Sequence, residues 1–166
     1  MLVKTKSTLL LSTLTILLIS IDNPASARIL QCCEAAKELN IAKIPRTFHS
    51  SFVCLMKYES SFNTAKKTGP GYKASYAYGI LQIRSDKYCN AFRPGGVCNK
   101  KCDDFLDDNI QDDIACANII FQNEGLKYWN NISKCKDQNL LPNLSTCYNA
   151  RSSFMDKLTG SPMPCR

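Results

Sequence analysis

The chain has 166 residues, with 21 lysines and arginines against 14 acidic residues, one histidine and ten cysteines, for a formal charge of +7. That length fits one domain with a real core, and a single histidine argues against a histidine-rich metal site. The basic balance favours anionic surfaces, but no basic run is interleaved with aromatics, so nucleic acid is not expected as a partner.

At the N-terminus Lys4 and Lys6 precede an apolar run over residues 9–21, and Ala25-Ser26-Ala27 fits a small-residue cleavage site. The run is broken by Ser12, Thr13 and Thr15 and is short for a membrane span of ~20 residues. Residues 1–27 therefore read as a signal peptide, with no membrane anchor, a secreted chain starting at Arg28, and one domain over 28–166. That chain keeps 19 basic and 13 acidic residues and all ten cysteines. On an oxidising export route the cysteines are expected as disulfides; zinc at Cys98 and Cys102 is the rival reading. Spacing alone does not choose the pairing.

Residues 33–40 have helix-forming composition, and a second helix is expected over about 47–60, after Pro45. In it Phe52, Leu55, Met56 and Glu59 recur at i, i+3, i+4 and i+7, which puts Glu59 at the end of an apolar stripe. His49, near the start of this helix, is expected to face solvent. Thr68-Gly69-Pro70-Gly71 is turn chemistry, and residues 74–83 are rich in Tyr and Ile, so a small antiparallel sheet fits 63–89. A cysteine-bearing loop follows around Pro94-Gly95-Gly96. Ile110, Ile114, Ala117 and Phe121 mark a third helix, and 126–132 a short helical piece. Beyond Cys147 the chain is polar, with Gly160, Pro162 and Pro164, and reads as a loosely packed C-terminal extension over about 148–166. Asn131-Ile132-Ser133 and Asn143-Leu144-Ser145 are glycosylation sequons.

Two constellations carry chemistry. Glu59 is one: a carboxyl on an apolar face is poorly solvated when ionised and so is prepared to donate a proton, unless it merely sits at a frayed helix end in water. The other is CDDFLDDNIQDDIAC, residues 102–116, where Asp103, Asp104, Asp107, Asp108, Asp112 and Asp113 crowd into eleven positions of a basic protein. Such crowding repels itself unless a cation intervenes. Asp107, Asp112 and Asp113 can converge where a loop turns into a helix, with backbone carbonyls completing an oxygen shell suited to Ca2+. Acidic residues favouring a helix N-terminus account for one or two of the six.

KYESSFNT around Glu59, followed by YGILQI, resembles the signature of the c-type lysozymes, a family that includes the α-lactalbumins. Eight cysteines, Cys33, Cys54, Cys89, Cys98, Cys102, Cys116, Cys135 and Cys147, follow the family's order with C-x3-C at Cys98 and Cys102. The resemblance implies an α+β, lysozyme-like fold: a helical lobe and a small antiparallel β lobe flanking a cleft for β-1,4-linked amino sugars, stapled by disulfides. It implies the pairs Cys33–Cys147, Cys54–Cys135, Cys89–Cys102 and Cys98–Cys116. Cys32 and Cys165 are then left, and the 17 residues between Cys147 and Cys165 are long enough to close a fifth bridge.

By the same resemblance Glu59 matches the general acid, and Trp129 the tryptophan packed against it, with Tyr128 as the alternative. The family's second carboxylate stands immediately before Tyr-Gly, where this chain has Ala77. A methyl group can neither attack the anomeric carbon nor stabilise its positive charge. Asp86, the other acid before Cys89, is expected elsewhere on the sheet. Lys87-Tyr88 replace an aromatic pair, while Tyr78, Gln82 and Ile83 remain at matching cleft positions. Asp107, Asp112 and Asp113 match calcium-binding carboxylates, and Asp104 and Asn109 the carbonyl donors. Two functions follow: a monomeric muramidase with an impaired catalytic pair, acting on peptidoglycan, or a non-catalytic module that binds peptidoglycan or chitin-like glycan in immunity or cell recognition.

Overall fold

The computed structural model describes residues 28–148. The expected signal peptide over 1–27, and the expected C-terminal extension beyond Tyr148 with Cys165, lie outside the described residues. Helix α1 (Cys32–Ile41) opens with Glu34 reaching back to the Gln31 N–H at 3.2 Å, which satisfies an otherwise orphaned donor, and buries Cys33, Ala35, Ala36 and Leu39. A short 3-10 turn, Arg46–Phe48, leads into α2 (His49–Ser60), whose Phe52, Val53, Leu55 and Met56 are fully buried. Helix α3 (Gln111–Glu124) carries Asp112 and Asp113 in its first turn, where its dipole favours negative charge. It ends at Gly125, whose positive φ of 70° is a conformation that glycine adopts without strain.

Between α2 and α3 lies a three-stranded antiparallel sheet in the order β1 (Lys67–Thr68), β2 (Ala77–Tyr78), β3 (Ile83–Arg84). Its register pairs Thr68 with Ala77 and Ala77 with Arg84. Between β2 and β3 the turn buries Ile80 and Leu81 in the common core, and Ile83 at the start of β3 is buried beside them. After α3 the chain continues as 3-10 segments, Leu126–Tyr128, Asn130–Cys135, Gln138–Leu140 and Ser145–Tyr148. No helix among the described residues is long and apolar enough to cross a membrane.

Four disulfides pair as the resemblance implied: Cys33–Cys147, Cys54–Cys135, Cys89–Cys102 and Cys98–Cys116. Cys32 is also disulfide-bonded. His49 departs from expectation: it is 1% exposed, with one ring nitrogen 2.7 Å from the Ile44 carbonyl and the other against the Tyr148 hydroxyl. Burial, reinforced by the nearby Arg46 charge and only partly offset by the Ile44 bond, holds its pKa below the usual value. The partner that removes it from water lies 99 residues away.

Candidate active site

Glu59 stands half-buried in the last turn of α2, past the apolar stripe of Phe52, Leu55 and Met56. The helix stops there because Ser61 and Phe62 take left-handed backbone, and their amides turn back onto Lys57 and Met56 carbonyls at 3.0 and 3.2 Å. The Glu59 carboxylate accepts from the Asn131 backbone N–H at 3.2 Å, while the Asn131 carboxamide donates to the Tyr58 carbonyl at 3.3 Å. Cys54–Cys135 joins the same two segments covalently. Lys66 donates to the Glu59 carbonyl at 2.5 Å. The acid is therefore held on a rigid frame and does not fray into solvent.

Trp129 and Tyr128, the two aromatics weighed from the sequence, take different places. The Trp129 indole is buried and donates its N–H to the Leu81 carbonyl at 2.8 Å, with its ring edge-on to Phe52. The Tyr128 hydroxyl instead accepts from the Arg84 backbone N–H at 2.9 Å, so this residue reaches across to β3.

Ala77 is half-buried on β2, and its cross-strand partner on β3 is Arg84. Directly paired residues project to one face of a sheet, so Ala77 shares its face with Arg84. Asp86 is gripped by Arg84 through both its oxygens, at 2.8 and 3.2 Å, and this bonding draws its pKa below the usual carboxylate range.

The remaining cleft candidates are buried: Tyr78, Gln82, Ile83, Tyr88 and Trp129 are each at most 7% exposed. The Gln82 carboxamide donates to the Lys66 and Gly79 carbonyls at 2.9 and 2.8 Å and accepts from the Thr68 hydroxyl. The Tyr88 hydroxyl donates to Glu124. The pocket of about 620 Å³ lined by Ile29, Leu30, Val53, Tyr58 and Leu140 includes neither Glu59 nor Ala77.

In the acidic loop, both Asp113 oxygens and one Asp112 oxygen are buried without a hydrogen-bond partner. Burial first, and the Asp112 charge second, push the Asp113 pKa well up; the Ile80 backbone amide softens this without completing a hydrogen bond. Asp112 is raised by burial, opposed by the Lys100 ammonium at 3.2 Å. Asp107 accepts from the Asn109 N–H at 2.8 Å, Asn109 from the Gln111 N–H at 3.4 Å, and Asp104 from the Lys101 N–H at 3.1 Å. Among the described residues, no three His, Cys, Asp or Glu side chains already stand together as a metal-ready group.

The profile of the C-type lysozyme/alpha-lactalbumin family matches residues 28–147. The chain belongs to that family. It is 36% identical to the milk isozyme of lysozyme C from Canis lupus familiaris over 128 residues, which cover 72% of this chain and 98% of the relative. Against lysozyme c-1 of Anopheles gambiae it is 31% identical over 137 residues, 82% of this chain and 97% of the relative. The crystal structure of lysozyme from Equus asinus superposes with a TM-score of 0.65 at 32% identity, covering 74% of this chain and all of that one. A calcium-binding lysozyme from equine milk superposes with a TM-score of 0.60 at 32% identity, covering 68% of this chain and 93% of that one. The lysozyme-like α+β fold and its four-disulfide framework thus belong to this chain. The ties that sequence reading missed are long-range: Asn131 to Glu59 across 72 positions and Tyr128 to Arg84 across 44. In the sequence Asn131 stood out only as a sequon.

Proposed function

We propose that this lysozyme-family protein is secreted and directed at β-1,4-linked amino-sugar polymers, peptidoglycan foremost and chitin-like chains second, with a hydrolytic step that is weak or lost. One observation carries the reading: Glu59 is held on a frame tied by Asn131 and Cys54–Cys135, while Ala77 presents a methyl group beside Arg84. Glu59 protonates the glycosidic oxygen as general acid. At Ala77 no group attacks the anomeric carbon or offsets its developing positive charge. Asp86, engaged by Arg84, does not replace the missing acid. Tyr78, Gln82, Ile83, Tyr88 and Trp129 shape the groove from within.

The Arg84–Asp86 pair favours a second reading, in which the protein binds glycan without cutting it. Incubation with peptidoglycan and with chitooligosaccharide, followed by NMR of the products, separates the two. Slow release of reducing ends supports a residual hydrolase, retention of intact glycan supports the binding module, and neither cleavage nor binding removes both.

Calcium belongs to the same proposal. The orphaned oxygens of Asp112 and Asp113 fit a hard cation's donor set, and Asp107, with the carbonyls of Asp104 and Asn109, would complete it. The bound ion would supply structural charge compensation at the start of α3. Lys100, which now faces Asp112, would have to yield.

A further inference from the structure

The flank of the groove beyond Ala77 is crossed by side chains that satisfy one another. Tyr128, in the 3-10 turn after α3, places its hydroxyl on the Arg84 backbone N–H at 2.9 Å. That N–H belongs to the residue paired with Ala77. The Arg84 guanidinium lies 5.7 Å from the centre of the Tyr128 ring and is itself held by Asp86. Through that bond and the guanidinium, the Tyr128 ring lies beside the residue that shares a sheet face with Ala77. Behind it the Tyr88 ring meets Tyr128 edge-on at 5.3 Å, and Glu124 at the end of α3 accepts from both Lys87, at 2.6 Å, and the Tyr88 hydroxyl. Tyr128 is mostly withdrawn from water, and this burial drives its phenol pKa far up. Apart from the Arg84–Asp86 pair, each of these contacts joins the sheet, or the loop just after β3, to α3 or the turn that follows it.

We infer that Tyr128, backed by Tyr88 and Glu124, is a clasp that closes the groove beside Ala77 and holds down its affinity for glycan. The inference rests on the glycan-directed reading above. A sugar chain lying across β3 competes with a phenol for the Arg84 backbone N–H, and it gains that donor only after Tyr128 swings out. The clasp therefore lowers affinity for short oligosaccharides in proportion to the fraction of molecules closed. Longer chains are penalised by the same factor, so the clasp sets how tightly the groove binds glycan and leaves the ratio of affinities between chain lengths unchanged.

The test is titration of the full secreted chain with chitotriose by NMR, for the natural protein, Tyr128→Ala and Tyr128→Phe. Removing the ring is expected to tighten binding about tenfold or more. Phe leaves the ring but frees the Arg84 N–H, so it is expected to tighten binding less and to speed hydrogen exchange of that amide. If Tyr128→Ala fails to fold, the Phe variant carries the test through both readouts. Binding by the natural protein that is unchanged in the variants overturns the clasp, binding that is weakened overturns it and makes Tyr128 a sugar-contacting platform, and either leaves the glycan reading standing. No binding by the natural protein or any folded variant, to chitotriose or to peptidoglycan, removes the glycan reading and the clasp with it.

Discussion

Gly79 joins the strand bearing Ala77 to the acidic loop, and Gly79→Ala is expected to damage both. Its φ is +74°, and a Cβ built there falls 2.1 Å from an Asp113 oxygen and 2.4 Å from the Phe105 carbonyl oxygen. An ordinary contact begins near 3.4 Å, so the neighbours must retreat by about 1 Å, and Phe105 O is backbone of a buried residue in the Cys102–Leu106 turn. Left-handed backbone costs a side-chain-bearing residue ~1–2 kcal/mol, and overpacking a core adds ~1–3 kcal/mol. The total of ~2–5 kcal/mol is a large part of the ~5–15 kcal/mol that holds a domain of this size. For this length it corresponds to a fall in Tm on the order of 10 °C. Circular dichroism melts of both proteins, each with chelator and with calcium, measure this loss. The variant should also lose most of its calcium response, because Asp113 is displaced. A Tm within about 2 °C of the natural protein, with the calcium response intact, would refute the argument that Gly79 is packed onto the acidic loop.

Saturating calcium should raise the Tm of the natural protein, Asp112→Ala should abolish the gain, and Lys100→Met, which removes the competing ammonium, should tighten calcium binding in isothermal titration; identical melts with calcium and chelator would count against the site. His49 is buried in its neutral form with a lowered pKa, so between that pKa and the unfolded value of about 6.5 the unfolded chain binds more protons. Its contribution is intact above about pH 6.5 and is lost as pH falls through the folded value; melts from pH 7 to 4 should show this decline, and His49→Gln should flatten it. Asn143 is exposed, whereas the Asn131 amide is half-buried and bonded to the Tyr58 carbonyl, so glycan found by mass spectrometry on the secreted protein should sit on Asn143, and full occupancy of Asn131 would contradict this placement.

Much of this fold was legible in local pattern. The stripe of Phe52, Leu55 and Met56 placed α2 and set Glu59 at its end, and turn residues 68–71 marked the sheet. The cysteine order led to the family and so to the four pairs. What stayed hidden depends on groups far apart in the chain. Nothing within a helical turn of His49 says that Tyr148 will cover it, and a lone histidine near a helix start reads as a surface group. Tyr128 and Trp129 are adjacent aromatics with the same local signal, yet one is core and the other spans to β3. The difference is set by which carbonyl or N–H each meets on the β side. Gln82, read as cleft lining, is drawn inward because the Lys66 and Gly79 carbonyls and the Thr68 hydroxyl converge on its carboxamide. The identity of residue 77, by contrast, needed no structure to raise the central question.

That question is settled most directly by the rate of peptidoglycan hydrolysis for the natural protein, Ala77→Asp and Ala77→Asp/Glu59→Gln, measured by release of reducing ends. A carboxylate at 77 restores countercharge at the anomeric centre, each decade of rate being ~1.4 kcal/mol of barrier. The account predicts feeble or undetectable cleavage by the natural protein. It predicts a gain of about tenfold or more in Ala77→Asp, muted to the extent that Arg84 captures the new carboxylate, and loss of that gain when Glu59 becomes Gln. Cleavage by the natural protein as fast as that of a milk lysozyme, or a gain in Ala77→Asp that survives Glu59→Gln, would contradict it.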